Sequence, residues 1–146
     1  MFGIGYGNYG DYAGLVAHNS FVHSFVELGF FGGTFFFGMF FFALYSLYKM
    51  ASIHPDLRHP EITRMKPYVM GILAGWSTGL LTLSRCYVPP TFMVLGTVAA
   101  YLNYVNFTLR PHGMLVYFDR EHVTYMVISS AALFVSIYAV ILVLGR

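Results

Sequence analysis

The chain has 146 residues and a formal net charge of +2; 58% of its residues are hydrophobic and only 10% are charged. With a mean hydropathy of +0.65, it lies far from the composition of an average soluble domain, and its small net charge gives no support for a nucleic-acid partner. Cys86 is the single cysteine, so the chain can form neither an intrachain disulfide nor a zinc cluster of thiolates.

Residues 1–27 hold glycines and tyrosines at short intervals and show neither a basic nor an apolar targeting segment. This composition predicts an irregular loop that leads into the start of a first helix. Asn19 is suited to cap that helix, because its side-chain oxygen can accept a bond from a first-turn amide. His23 and Glu27 lie one turn apart on the same face, where a simple helix pair explains both residues.

Four later stretches lack Asp, Glu, Lys and Arg, and each reaches or exceeds the roughly 18 apolar residues of a membrane-spanning helix. They are residues 28–48, 67–84, 86–109 and 122–145. Backbone amides in hydrocarbon must bond within the chain, and continuous apolar runs favour helices over the alternating strands of a barrel. The sequence therefore predicts an all-α fold, a polytopic membrane helical bundle with about four transmembrane helices.

The second and third runs are separated by residues 85–90, which contain two consecutive prolines. Because proline lacks an amide donor and disfavours a helical residue before it, a hairpin outside the hydrocarbon is predicted here. The second run also carries a stripe of small residues at helix-packing spacing, Gly71, Gly75 and Gly79. In the fourth run, residues 129–132 offer a further contact face.

Basic residues set the orientation of the bundle, because cytoplasmic loops carry an excess of Lys and Arg. The loops on one side hold Lys49, Arg58, Arg64, Lys66, Arg110 and Arg120, whereas the other side holds Arg85 and Arg146. We therefore predict that residues 1–27 and the C-terminus are periplasmic. Since no means of carrying residues 1–27 across the membrane is visible, we also expect the chain to be the distal part of a larger protein.

The residues around the predicted start of the first helix resemble a motif of a known family. Ala17-His18-Asn19, then Glu27-x-Gly29-x-x-Gly32 and an immediate transmembrane helix, resemble the last outward loop of the O-antigen ligase and O-antigen polymerase family. Upstream, the stretch Gly3-x-Gly5-x-Gly7-Asn8-Tyr9 is similar to the glycine-aromatic segment that often precedes this pattern. The resemblance covers roughly residues 3–107. It divides the chain into residues 1–27, a three-span region at 28–109, and a loop with the fourth span at 110–146.

The resemblance implies the distal part of a larger GT-C-like bundle that transfers a glycan at the outer face of a bacterial inner membrane. The donor would be an undecaprenyl-diphosphate-linked glycan, and the acceptor a sugar hydroxyl on lipid A core or on another lipid-linked repeat. No metal or other cofactor is implied. His18 would act as general base, Asn19 would orient the base or the sugar, and Glu27 would hold His18 or the helix geometry.

Two departures from the family pattern qualify this expectation. Gly32 stands where ligases tend to have threonine, which favours polymerase-like or uncharacterised members. No basic residue precedes Lys49, whereas the family's upstream loops supply arginines for the lipid diphosphate. We therefore expect the isolated chain to be inactive or to need a partner chain that supplies the missing helices.

Two other functions stay open at this point. The glycine stripes and the missing arginines fit a non-catalytic or truncated membrane interaction module. A small-anion transporter segment is less favoured, because ion-coupled transport usually needs ionisable residues near the bilayer midplane.

Overall fold

A computed structural model of the chain describes residues 2–14, 18–53, 59–108 and 119–144. Every regular element in these ranges is an α-helix, which confirms the predicted all-α class for this part of the chain. The helices there are α1 (Tyr9–Ala13), α2 (Ser20–Ile53), α3 (Pro60–Thr82), α4 (Pro89–Thr108) and α5 (Arg120–Leu144). Four residues on which the predictions drew lie outside the described ranges: Ala17, Arg58, Arg110 and Arg146.

The helix ends follow from prolines and from a capping residue. Both α3 and α4 begin at a proline, where the missing N–H is not needed in the first turn. Residues 83–88 separate these two helices, so the predicted break is confirmed, although it ends before the two prolines, which open α4. Helix α2 begins at Ser20, directly after Asn19, which caps it as predicted, so the helix starts before the charge-free run and includes the buried Glu27.

In the described ranges, one helix is long and apolar enough to cross a membrane by length and composition, the segment Ser20–Met50 of α2. Although α3 and α4 carry little charge, small and polar residues such as Ser77, Asn103 and Asn106 lower their hydropathy. The four-span bundle, its orientation and its division into residues 1–27, 28–109 and 110–146 therefore stay predictions.

The chain forms two compact units, and the first consists of Met1–Gly38, Leu80–Cys86 and Phe118–Arg146. Within this unit, α5 packs on the first part of α2. Thr34 Oγ1 and Ser130 Oγ lie 2.9 Å apart and are buried, and the rings of Phe25 and Phe134 have centroids 5.6 Å apart. Ser130 therefore lies in a contact face, as the pattern at residues 129–132 predicted.

The second unit consists of Met39–Gly79 and Tyr87–Tyr117, and in it α3 packs against α4. The hydroxyl of Tyr101 donates to the carbonyl of Ile62 at 3.0 Å, and Trp76 Nε1 donates to Thr91 Oγ1 at 3.2 Å. Tyr101, Ile62 and Thr91 are buried. These two hydrogen bonds join α3 to α4 at two places along their contact.

The small-residue stripe of α3 has a different environment from the one its spacing predicts. A Cβ added to any of its glycines would meet no atom within 4 Å, at Gly71, Gly75 or Gly79. Within the described part of the chain, a methyl group added at any of the three positions would therefore find open space. Packing of the stripe against another chain or another segment stays a prediction.

Candidate functional site

Helix α2 is interrupted at Gly29, whose backbone has φ 72° and ψ −172°. Glycine reaches this conformation readily, whereas a side chain would strain it. The interruption ends a first helical segment, and the last carbonyls of such a segment need new donors. The N-terminal segment supplies them, since the amide of Ile4 donates to the carbonyl of Val26 and that of Gly5 to the carbonyl of Glu27, each at 3.0 Å.

The N-terminal glycines have structural roles that explain their spacing. A Cβ on Gly3 would overlap the backbone of Glu27 and Gly29, so only glycine permits this approach. Gly5 and Gly7 have φ values of 95° and 79°, in the region that favours glycine. Residues 3–8 therefore form a compact turn against the interruption in α2, where the sequence predicted an irregular loop.

Glu27 lies at the centre of this contact and is buried, with 2% of its surface exposed. Its Oε1 accepts from His23 Nε2 at 2.9 Å and from the amide of Tyr9 at 3.1 Å. The ring of Tyr9 also packs on that of His23, with centroids 5.1 Å apart. One buried carboxylate therefore joins the N-terminal segment to α2, and the predicted His23–Glu27 pair is confirmed.

The residues that follow α3 complete the site. The Nδ1 atom of His23 is hydrogen-bonded to Ser84 Oγ. One turn earlier on α2, the buried hydroxyl of Ser20 donates to the carbonyl of Leu83 and accepts from the amide of Arg85 at 2.7 Å. The start of α2 is thus fixed to residues 83–85. We call Tyr9, Ser20, His23, Glu27 and Ser84 the His23 cluster.

His18 and Asn19 lie at the N-terminal end of α2. Asn19 Oδ1 accepts from the amides of Phe21 and Val22 at 2.9 and 3.2 Å, so the predicted cap is confirmed. His18 is exposed, and it makes no hydrogen bond or ion pair with any other described residue. Glu27 contacts His23 rather than His18, so the idea that it holds His18 finds no support in this geometry.

Sequence reasoning found the part of the cluster that is local and missed the part that is not. His23 and Glu27 share a helix face, which the spacing shows. Ser84 lies 61 residues from His23 in the chain, and nothing in its own neighbourhood marks it as a partner. A lone serine after an apolar run carries no signal of such a contact.

An apolar cleft of about 440 Å³ opens beside the interruption in α2. Aromatic and aliphatic side chains from the N-terminal segment, α2 and α5 line it around Gly29, namely Phe2, Ile4, Phe25, Phe30 and Phe134. In the described part of the chain, no group of three or more His, Cys, Asp or Glu side chains could hold a metal ion.

Comparison of the chain with models of protein families, with curated proteins and with solved structures finds no match.

Proposed function

We propose that this chain contributes a membrane-embedded site that transfers a glycan from undecaprenyl diphosphate to a sugar hydroxyl during surface polysaccharide assembly. The supporting observation is a contact between the two separate stretches that carry the resemblance. Gly3 approaches the backbone of Glu27 and Gly29, and the amide of Tyr9 bonds to the Glu27 carboxylate. Segments that are distant in sequence and needed together in the proposed site thus pack as one structure.

In this proposal His18 is the general base. It is exposed, and the Asn19 cap fixes the backbone directly after it. Imidazole suits this role at neutral pH. As the acceptor oxygen bonds to the anomeric carbon, His18 takes the hydroxyl proton, and the bond from that carbon to the lipid diphosphate breaks. A positioned base of this kind typically contributes about 10²- to 10⁴-fold in rate.

Asn19 and Glu27 act through structure in this proposal. Asn19 orients His18 by fixing the residue at which α2 begins, since both of the bonds that its Oδ1 accepts come from first-turn amides. Glu27 positions the N-terminal segment against α2 through Tyr9 and His23. Neither residue needs to touch the sugar for these effects.

The proposed site also needs positive charge to bind the lipid diphosphate, and the residues before Lys49 do not supply it. The leaving diphosphate needs positive charge in a site of low dielectric constant, and no basic residue precedes Lys49. We therefore assign the diphosphate-binding arginines to a partner chain or to a further segment of a longer protein. The proposed setting is the bacterial inner membrane, with residues 1–27 and His18 on the periplasmic side.

The test replaces His18 by alanine in the native host and measures the length and amount of surface glycan together with the protein level. We expect glycan polymer or ligated product to be lost while the protein level stays normal. His59→Ala, in the predicted cytoplasmic loop, is the control and should leave the product unchanged. Normal product from His18→Ala would exclude the general-base role and favour a non-catalytic interaction module.

A further inference from the structure

The His23 cluster contains three side chains in a line that suits nucleophilic catalysis. Ser84 Oγ is hydrogen-bonded to one ring nitrogen of His23, and the other ring nitrogen lies 2.9 Å from Glu27 Oε1. A hydroxyl, an imidazole and a carboxylate in this order activate the nucleophile of serine hydrolases, where geometry rather than chain order defines the site. In the usual triad, Nε2 faces the serine and Nδ1 faces the carboxylate. In this chain, Nδ1 faces Ser84 and Nε2 faces Glu27.

The carboxylate sets the tautomer of the imidazole. Glu27 Oε1 accepts from two N–H donors, His23 Nε2 and the amide of Tyr9. This arrangement places the ring proton on Nε2 and leaves the lone pair of Nδ1 toward Ser84 Oγ. His23 is therefore oriented to take the proton of the Ser84 hydroxyl.

Burial falls along this line from the carboxylate to the hydroxyl. The side chain of Glu27 is 1% exposed and that of His23 is 16% exposed, while Ser84 is half-buried. Burial of the carboxylate strengthens its hydrogen bond to the imidazole, because electrostatic interactions are stronger in an environment of low dielectric constant. The serine at the other end stays within reach of a substrate.

The position of Ser84 also separates it from ordinary helix hydroxyls. Thr78 and Thr97 lie inside helices and donate to the carbonyl four residues earlier, at 2.9 Å in each case. Ser84 lies after the end of α3, in residues 83–88, and not inside a helix. Its partner is the nitrogen of His23 instead.

We propose that Ser84 is the nucleophile of an acyl-transfer site, with His23 as its base and Glu27 as the orienting carboxylate. Its substrate class is a carboxylic ester. This activity does not depend on the proposed glycosyl transfer.

The step is balanced with water as co-reactant. Ser84 Oγ bonds to the ester carbonyl carbon and gives its proton to His23, which passes the proton to the leaving alkoxide as the C–O bond breaks. Water then attacks the acyl-serine, releases the carboxylic acid and restores the hydroxyl. Arg85 directly follows Ser84 and is the basic residue nearest to it in sequence. A positive charge close to the reacting carbonyl stabilises the developing oxyanion.

The experiment treats the full chain, purified in detergent micelles, with an alkyl fluorophosphonate and locates the adduct by peptide mass spectrometry. The hydroxyl of Ser84 displaces fluoride at phosphorus, so the unmodified chain should carry one adduct on the peptide that contains Ser84. Ser84→Ala should abolish this adduct, and Thr78→Ala should leave it unchanged. His23→Gln and Glu27→Gln should slow labelling by about 10²-fold or more, the usual contribution of a positioned base.

The position of the adduct in the unmodified chain is read directly from the labelled peptide, so a variant that fails to fold does not leave the proposal untested. Absence of the adduct, or an adduct that persists in Ser84→Ala, would overturn it. Equal labelling rates in His23→Gln and the unmodified chain, with circular dichroism showing the same helix content, would remove the base from the proposal. Because the readout is a covalent adduct, a failure of the glycosyl-transfer proposal leaves it unaffected.

Discussion

At the scale of single residues, the interruption at Gly29 depends on a second glycine far away in sequence. Gly3 lies where any Cβ would overlap the backbone of Glu27 and Gly29. Those neighbours are main-chain atoms, so they cannot move aside as the end of a flexible side chain can. A larger residue at position 3 therefore forces the backbone to shift, which costs folding free energy.

We expect Gly3→Ala to lower the free energy of unfolding by about 1–3 kcal/mol, the usual cost of forcing extra atoms into a packed site. Thermal unfolding followed by circular dichroism in detergent micelles measures the change. Gly10→Ala is the matched control, because a Cβ at Gly10 meets no atom within 4 Å and this glycine lies in α1. It should raise stability slightly, by about 0.4–1 kcal/mol. Equal stability of the two variants would contradict the close approach.

Residue-level contacts divide into those that the sequence predicts and those that it does not. The Asn19 cap and the His23–Glu27 pair are both formed within one helical turn, so local spacing is enough to predict them. The bond from Tyr9 to Glu27 and that from Ser84 to His23 span 18 and 61 residues. Contacts of this kind depend on how whole segments fold back, which spacing alone does not determine.

At the scale of elements, α2 and α5 pack through small residues and one polar pair. Gly38 lies on this contact, where an added Cβ would overlap the side chain of Met126. Thr34 and Ser130 lie on the same contact and exchange a buried hydrogen bond. Small residues that let two helices approach closely are a usual feature of helix packing in lipid.

Gly38→Leu should therefore separate α2 from α5 and lower the free energy of unfolding by about 1–3 kcal/mol or more. The measurement is again thermal unfolding in micelles. Gly71→Leu is the matched control, since Gly71 is a helix glycine with no atom within 4 Å of an added Cβ. Its leucine should cause no loss of stability. A loss as large as that of Gly38→Leu would mean that Gly71 is packed against another helix or another copy of the chain.

The helices themselves were largely predictable, because charge-free runs and prolines mark where they lie and where they stop. The ends were less so. The Asn19 cap predicted a helix start at Ser20, where α2 does begin, but the charge-free run contained only residues from 28 onward, since the charge of Glu27 excluded it although the protein buries it in a hydrogen-bonded pair. The positive φ of Gly29, which divides α2 at that residue, is not evident from the apolar pattern.

At the scale of the whole molecule, the predicted membrane orientation places Asp11 and Asp119 on opposite sides. Both residues are exposed, which makes them a matched pair for labelling. In a Cys86→Ser background, Asp11→Cys should react with a membrane-impermeant maleimide in cells whose outer membrane has been permeabilised. Asp119→Cys should react only after the inner membrane is lysed. The reverse pattern would overturn the orientation, and labelling of both before lysis would exclude an odd number of spans between them, including the predicted three.

The composition of the whole chain predicts helices and an apolar environment, but it does not predict which residues meet. The charges are few, and Glu27 is the carboxylate that the described residues bury. That carboxylate joins segments whose residue types, taken separately, suggest only a loop, a helix start and a hairpin. The chemistry proposed for this protein therefore depends on the folded arrangement of polar groups that are individually common.

The contact between Gly3 and the interruption at Gly29 has a consequence for how this sequence can diverge. The interruption at Gly29 leaves the carbonyls of Val26 and Glu27 to accept from the amides of Ile4 and Gly5, so each part depends on the other. A lineage that replaced Gly29 by a helix-forming residue would straighten α2 and lose the reason to keep glycine at position 3. Related sequences should therefore retain or lose the two glycines together, as a co-varying pair.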